Sequence, residues 1–341
     1  MENLIKREQN GVRVGGGTVI RRRGRERKPK TPEQKLKEKY GTFFSLVEGW
    51  ENKPIAGLRN YEKLMGDIVA KFNNRRASLS EFEGKVKDVE EYKKDKDALN
   101  EKKRMIGESV SETEIVAMWA EYVVMEVMED GIALDEDVEI VPGSEYDDLF
   151  RGIDVVLPFY DKASGDLQEQ FSIDVKTFAV GNAKDSKGVL SAVKKLLDNI
   201  KVGKFIGTKY NKVKDNVEDT EVEPECNVAM PNLILPFSRT DIKAFIDVLD
   251  QKKRGVLDKE LQSQAFNYFR LLLIKSIKTS AEDMVGYISD MKDDGSTYVQ
   301  RGVNVAKRKE EFDQYMASYQ KIADWASTYL DGVHLAEDKQ V

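Results

Sequence analysis

Histidine and cysteine are nearly missing from this chain of 341 residues, which holds one of each, His334 and Cys226. A lone cysteine excludes an intramolecular disulfide, and the pair leaves no room for a cysteine-rich or histidine-rich zinc site. With its one imidazole near the C-terminus, the chain is a poor candidate for histidine acid–base catalysis. No run of about 18 apolar residues occurs, and residues 1–20 lack the apolar stretch of a signal peptide. These absences lead us to expect a protein of a reducing cytoplasm with no membrane partner. A net charge of −6 argues neither for nor against nucleic acid as a ligand.

What the chain does have is enough apolar residue, 40%, to bury a core, under a surface rich in charge at 34%. The first thirty residues read as a disordered basic arm. Gly15-Gly16-Gly17 precedes Arg21-Arg22-Arg23, and the run continues to Lys30 with nothing to bury. Residues 31–105 have helical periodicity and form an accessory region, with Tyr61, Leu64, Met65, Ile68, Val69 and Phe72 at spacings of three and four. Near Ser111 the pattern changes. Ser111-x-x-Glu114 matches a capping box, and Ile115, Met118, Trp119, Tyr122 and Val123 form one side of the helix it opens.

Strands are expected at about 137–141, 151–158 and 170–176, the last two joined by the turn at 161–166. A helix over 187–200 follows, then a strand over 232–237, then a helix capped by Thr240. Helix, three-strand meander, helix, strand, helix describes an α/β core over 106–255 with a mixed sheet. Residues 256–332 read as a C-terminal helical region packing on that core, and 333–341 as a tail.

The chemistry concentrates in two apolar runs. Asp154 opens Ile153-Asp154-Val155-Val156-Leu157, and Asp174 and Lys176 alternate with Ile173 and Val175 in the next strand. Alternation places Ser172, Asp174 and Lys176 on one face. Charges on a mostly buried strand are costly unless paired or bound to an ion. Two aspartates on neighbouring strands can share a magnesium or manganese ion, with the Val175 carbonyl as a third protein ligand. A nearby lysine can then position water and stabilise charge developing on a phosphate.

Asp154 followed by Asp174-Val175-Lys176, in this order of elements, resembles the PD-(D/E)xK nuclease superfamily, which includes restriction-enzyme-like and Holliday-junction-resolvase-like proteins. The resemblance covers residues 111–250. It departs at one place, since Ile153 stands where the family often has proline. Acidic-x-Lys triplets also recur in helical or polar stretches, at Glu33/Lys35 and Asp241/Lys243 for example, so the strand context carries the match.

The resemblance implies a restriction-endonuclease-like core and a magnesium-dependent phosphodiesterase, an endonuclease in preference, acting on nucleic acid and most readily on DNA. It assigns Asp154, Asp174 and Lys176 as catalytic, with Asp154, Asp174 and Val175 around the metal. The first-helix acid is Glu114 or Glu121, which lie seven apart on one face; Glu114 is preferred. Nine lysines fall between Gly181 and Lys214, and Lys184, Lys187, Lys194 and Lys195, with Arg21, Arg22 and Arg23, are candidates for backbone phosphate contacts. Asp147 and Asp148 are read as turn residues that could assist the metal site. The competing reading is a catalytically silent, nuclease-like binding or assembly module. The arm and the long helices also allow a homo-oligomer.

Overall fold

The computed structural model describes residues 61–106, 112–129, 138–178, 186–201, 207–215, 225–293 and 305–338. The arm over 1–30, the helix start at Thr31-Pro32, the cap at Ser111 and residue Lys184 lie outside these. Seven helices are described: α1 (Glu62–Asn73), α2 (Val89–Ile106), α3 (Glu112–Val127), α4 (Ser186–Lys201), α5 (Arg239–Lys253), α6 (Lys259–Asp293) and α7 (Val305–Asp338). Six strands accompany them: β1 (Val141–Pro142), β2 (Val155–Tyr160), β3 (Leu167–Phe178), β4 (Thr208–Asn211), β5 (Glu225–Val228) and β6 (Asn232–Ser238). The protein is mixed α/β, and no helix among the described residues is long and apolar enough to cross a membrane.

Four strands make the main sheet in the order β1-β2-β3-β6. The first three form an antiparallel meander, and β6 joins β3 in parallel after the crossover that contains α4. The β2–β3 turn is the expected one. The Asp161 carboxylate accepts the backbone N–H groups of Ala163 and Ser164, both at 2.9 Å, in an Asx-type turn. β1 is shorter than the 137–141 segment expected from sequence, with an isolated bridge at Val138 beyond it. The small β4–β5 hairpin was not foreseen; its strands have four residues each, too few for a periodic signal.

Side-chain alternation along β3 sorts the two faces. Phe171, Ile173 and Val175 join one large core with Val116, Trp119 and Val123 of α3. Leu64, Met65, Ile68 and Phe72 of α1 belong to that same core, although sequence placed them in an accessory region. The long apolar helix α6 is buried as its composition implies, with Phe269 stacked on Phe237 of β6 at 5.6 Å between ring centroids. From α7, buried Tyr319 clamps the edge strand: its hydroxyl donates to the Asn232 carbonyl at 2.9 Å and accepts the Asn232 N–H at 3.1 Å. α7 runs on to Asp338, past the position where a tail was expected. One cap is corrected. Ser238, extended at φ −67° and ψ 133°, caps α5 by accepting the N–H of Thr240, which is itself inside the helix.

Candidate functional site

Asp154 directly precedes β2, whose first residue Val155 pairs with Ile173 of β3. Asp154 is 2% exposed and Asp174 6%. The Asp154 backbone N–H donates to the Ile173 carbonyl at 2.9 Å, and its side chain accepts the N–H of Val175 at 2.6 Å. A carboxylate thus takes a main-chain partner where the ladder opens. Asp174 forms an ion pair with the ammonium of Lys176, two residues along on the same face.

A short π-helical turn, Asp147–Arg151, leads into β2 and ends at Gly152, whose φ of 69° favours glycine. Space is tight there too, since a Cβ would lie 3.2 Å from the Asp174 carboxylate. The two aspartates of this turn have different tasks. Asp147 is fully buried and accepts the Ser144 hydroxyl at 2.7 Å and the backbone N–H groups of Lys209 and Tyr210 at 2.7 and 2.9 Å. It fastens the turn to β4. Asp148 instead faces Glu121 and Asp154, and one oxygen from each of the three lies within 4.8 Å of the other two.

Glu121 comes from the middle of α3 and is only partly exposed. Glu114 lies seven residues earlier, about 10 Å along the helix axis. The side chain of Glu114 itself is outside the described residues, as are Arg21, Arg22 and Arg23. Sequence reasoning gave no place to Arg76, which follows α1 and is 8% exposed. It forms an ion pair with Asp148, while its Nε and Nη2 are buried without a hydrogen-bond partner. Nothing in Arg75-Arg76 distinguishes this side chain from a surface charge before the fold is known.

The electrostatics follow from burial. Asp154 is pushed well above the usual carboxylate range by desolvation and then by Asp174 and Asp148. Glu121 is raised in the same way by burial, Asp154 and Asp148. Burial lifts Asp174 to about 6, against the opposing pull of Lys176. For Lys176 burial acts downward, but Asp174 and Asp154 outweigh it and the net shift is upward, so this amine stays charged.

Beside the carboxylates is an open cavity of about 380 Å³. Asp148, Asp174 and Lys176 line it, with Asn232 on β6 and Lys195 on α4. Of the basic candidates, Lys195 therefore stands at the site, while Lys187 and Lys194 are exposed elsewhere on α4. No protein-family model matches the chain, and no curated protein or solved structure matches it either.

Proposed function

We propose that the chain is a metal-dependent nuclease with a restriction-endonuclease-like core, hydrolysing phosphodiester bonds and most readily those of DNA. The observation that carries this reading is the side-chain contact of Asp154 with β3 beside the Asp174–Lys176 pair. The Asp154 carboxylate accepts the N–H of Val175, the residue after Asp174, and Lys176 is paired to Asp174 on the same face of β3. The order helix, meander, crossover helix and parallel strand supports it.

The donor set suits a hard divalent cation. Glu121, Asp148, Asp154 and Asp174 supply four carboxylates against the two cations Lys176 and Arg76, which leaves two negative charges in excess. Donors on one magnesium ion lie at most about 4.2 Å apart. Oxygens of Glu121, Asp148 and Asp154 lie within 4.8 Å of one another, while Asp174 is outside that group and paired with Lys176. Asp154, Glu121 and Asp148 would hold the ion, with the Val175 carbonyl and Asp174 as further oxygen donors. When bound, magnesium or manganese polarises the phosphate and lowers the pKa of water. Lys176, held charged by its carboxylate neighbours, stabilises the negative charge that develops on the phosphate oxygens and serves as no base. The reaction joins a water oxygen to phosphorus and breaks a P–O ester bond, the water proton passing to the leaving oxygen.

Labelled single- and double-stranded DNA and RNA, incubated with and without magnesium or manganese, test the proposal. Cleavage should require the metal and vanish in Asp174→Ala and Lys176→Ala. Full activity in both variants would overturn the assignment. Metal binding without cleavage of any substrate would leave the chain as a silent nucleic-acid-binding module.

A further inference from the structure

The cavity beside Asp174 and Lys176 has walls of two different kinds, and a site for the metal alone would need neither. One wall is the face of α4 that carries Gly188, Ser191 and Ala192, spaced by three and four residues. A Cβ at Gly188 would meet nothing within 4 Å, so packing does not require this face to be small. A second wall is β6, where Asn232 and Ile234 line the cavity, and Leu149, Phe150, Arg151 and Gly152 of the turn before β2 complete it. Asn232 and Ile234 share the sheet face of Asp174, because Ser172 pairs with Asn232 and Asp174 with Ile234 in the parallel ladder. At the mouth, exposed Lys195 is near enough to Asp174 to act on its charge. Among the described residues no carboxylate forms an ion pair with Lys195.

Asn232 supplies an independent pointer to a ligand. It is 2% exposed, and its Oδ1 is buried with no donor. Its backbone groups are already taken by Tyr319, so the side-chain acceptor is what remains unmet. Leaving such an acceptor unpaired is costly, and a ligand N–H or O–H would satisfy it. The volume of about 380 Å³ lies within the range of roughly 300–1,000 Å³ that small-molecule sites occupy.

We propose that this cavity is a subsite for one nucleoside monophosphate unit of the substrate, an inference that rests on the phosphodiester reading above. The phosphate lies between Lys176 and Lys195. The base or sugar lies against Ser191, Ala192 and Ile234 and donates a hydrogen bond to Asn232 Oδ1. An inorganic phosphate would use the lysines but leave the apolar wall and the Asn232 acceptor unused.

Calorimetry on the full chain, with magnesium present to offset the Asp148 and Asp174 carboxylates in the lining, can measure binding of the four deoxynucleoside 5′-monophosphates, the matching nucleosides and inorganic phosphate. At least one monophosphate should bind more tightly than its nucleoside and than phosphate. Lys195→Gln should weaken it about tenfold, the scale of one charge-assisted contact, while leaving nucleoside binding unchanged. Ser191→Trp, at an exposed helix position, should fill the cavity and abolish both. Wild-type affinity in Ser191→Trp, or equal affinity for phosphate and monophosphates, would overturn the subsite. The two readings fail separately. Monophosphate binding that Ser191→Trp abolishes, in a chain that cleaves nothing, keeps the subsite and removes hydrolysis. Metal-dependent cleavage with an unchanged KM in Ser191→Trp removes the subsite and keeps hydrolysis.

Discussion

The carboxylate of Asp154 accepts the backbone N–H of Val175 at 2.6 Å, so one side chain both closes the β2–β3 ladder and carries charge into the site. The two roles can be separated. Asp154→Asn keeps an oxygen that accepts the N–H but loses the charge, whereas Asp154→Ala loses both. The Ala variant should unfold at lower temperature, by about 1–3 kcal/mol for the buried N–H left unpaired. The Asn variant should match or exceed wild type in stability, because it removes a desolvated charge, yet bind no manganese by calorimetry. Wild-type manganese affinity in Asp154→Asn would take this residue out of the metal site.

Burial of several carboxyls sets the direction of the pH dependence. An acid raised in the folded state binds its proton more tightly there than in the unfolded chain. Its contribution is present in full below the unfolded value of 3.8 and declines as pH rises through about 6 for Asp174. Asp241, lifted to about 6 by burial at the start of α5, acts with the same sign, as do Asp154 and Glu121. Each pKa unit corresponds to about 1.4 kcal/mol. Thermal unfolding should therefore show a higher Tm near pH 5 than near pH 7.5, with a smaller difference in Asp174→Asn. Magnesium at pH 7.5 should restore part of the loss by binding the folded chain alone. A Tm that rises steadily from pH 5 to 7.5 would contradict this account of the site.

Asp154, Asp174 and Lys176 were legible in the sequence because charge inside an apolar, alternating run breaks its own pattern. The meander, α4 and β6 were legible because their periodicities change from two to 3.6 and back. The rest depends on contacts that periodicity does not encode. Arg76 reaches the site from beyond α1, more than seventy residues from its partner Asp148. Whether Asp147 or Asp148 faces the carboxylates depends on a π-helical turn, which no residue pattern marks. Asn232 reads as the polar start of a strand, and only the cavity shows that its oxygen has no donor.

Gly152 carries both a positive φ of 69° and a close approach to Asp174. Alanine there has to leave the left-handed region or displace the carboxylate. Gly152→Ala should cost on the order of 1–2 kcal/mol in urea unfolding. It should also lower metal-dependent cleavage far more than that loss of stability accounts for, because Asp174 moves. Alanine at Gly255, with φ 68° and open space around it, is the control that carries backbone strain without the displacement. Equal losses of cleavage in the two variants would show that Gly152 matters for the backbone alone.

Arg76 is the counter-cation for a group of three carboxylates, and its ion pair with Asp148 is mostly buried. Arg76→Met removes the positive charge and leaves Asp148 beside Glu121 and Asp154. The expected loss is on the order of 3 kcal/mol, the usual result of stripping one partner from a buried pair. Asp148→Leu in the same chain removes the stranded charge, so the double variant should recover much of that loss. A double-mutant cycle in urea measures the coupling. Added magnesium should stabilise Arg76→Met more than wild type, since the excess negative charge it neutralises is larger by one. Simple additivity of the two substitutions would mean that Arg76 answers to the group as a whole, or to neither partner, and not to Asp148.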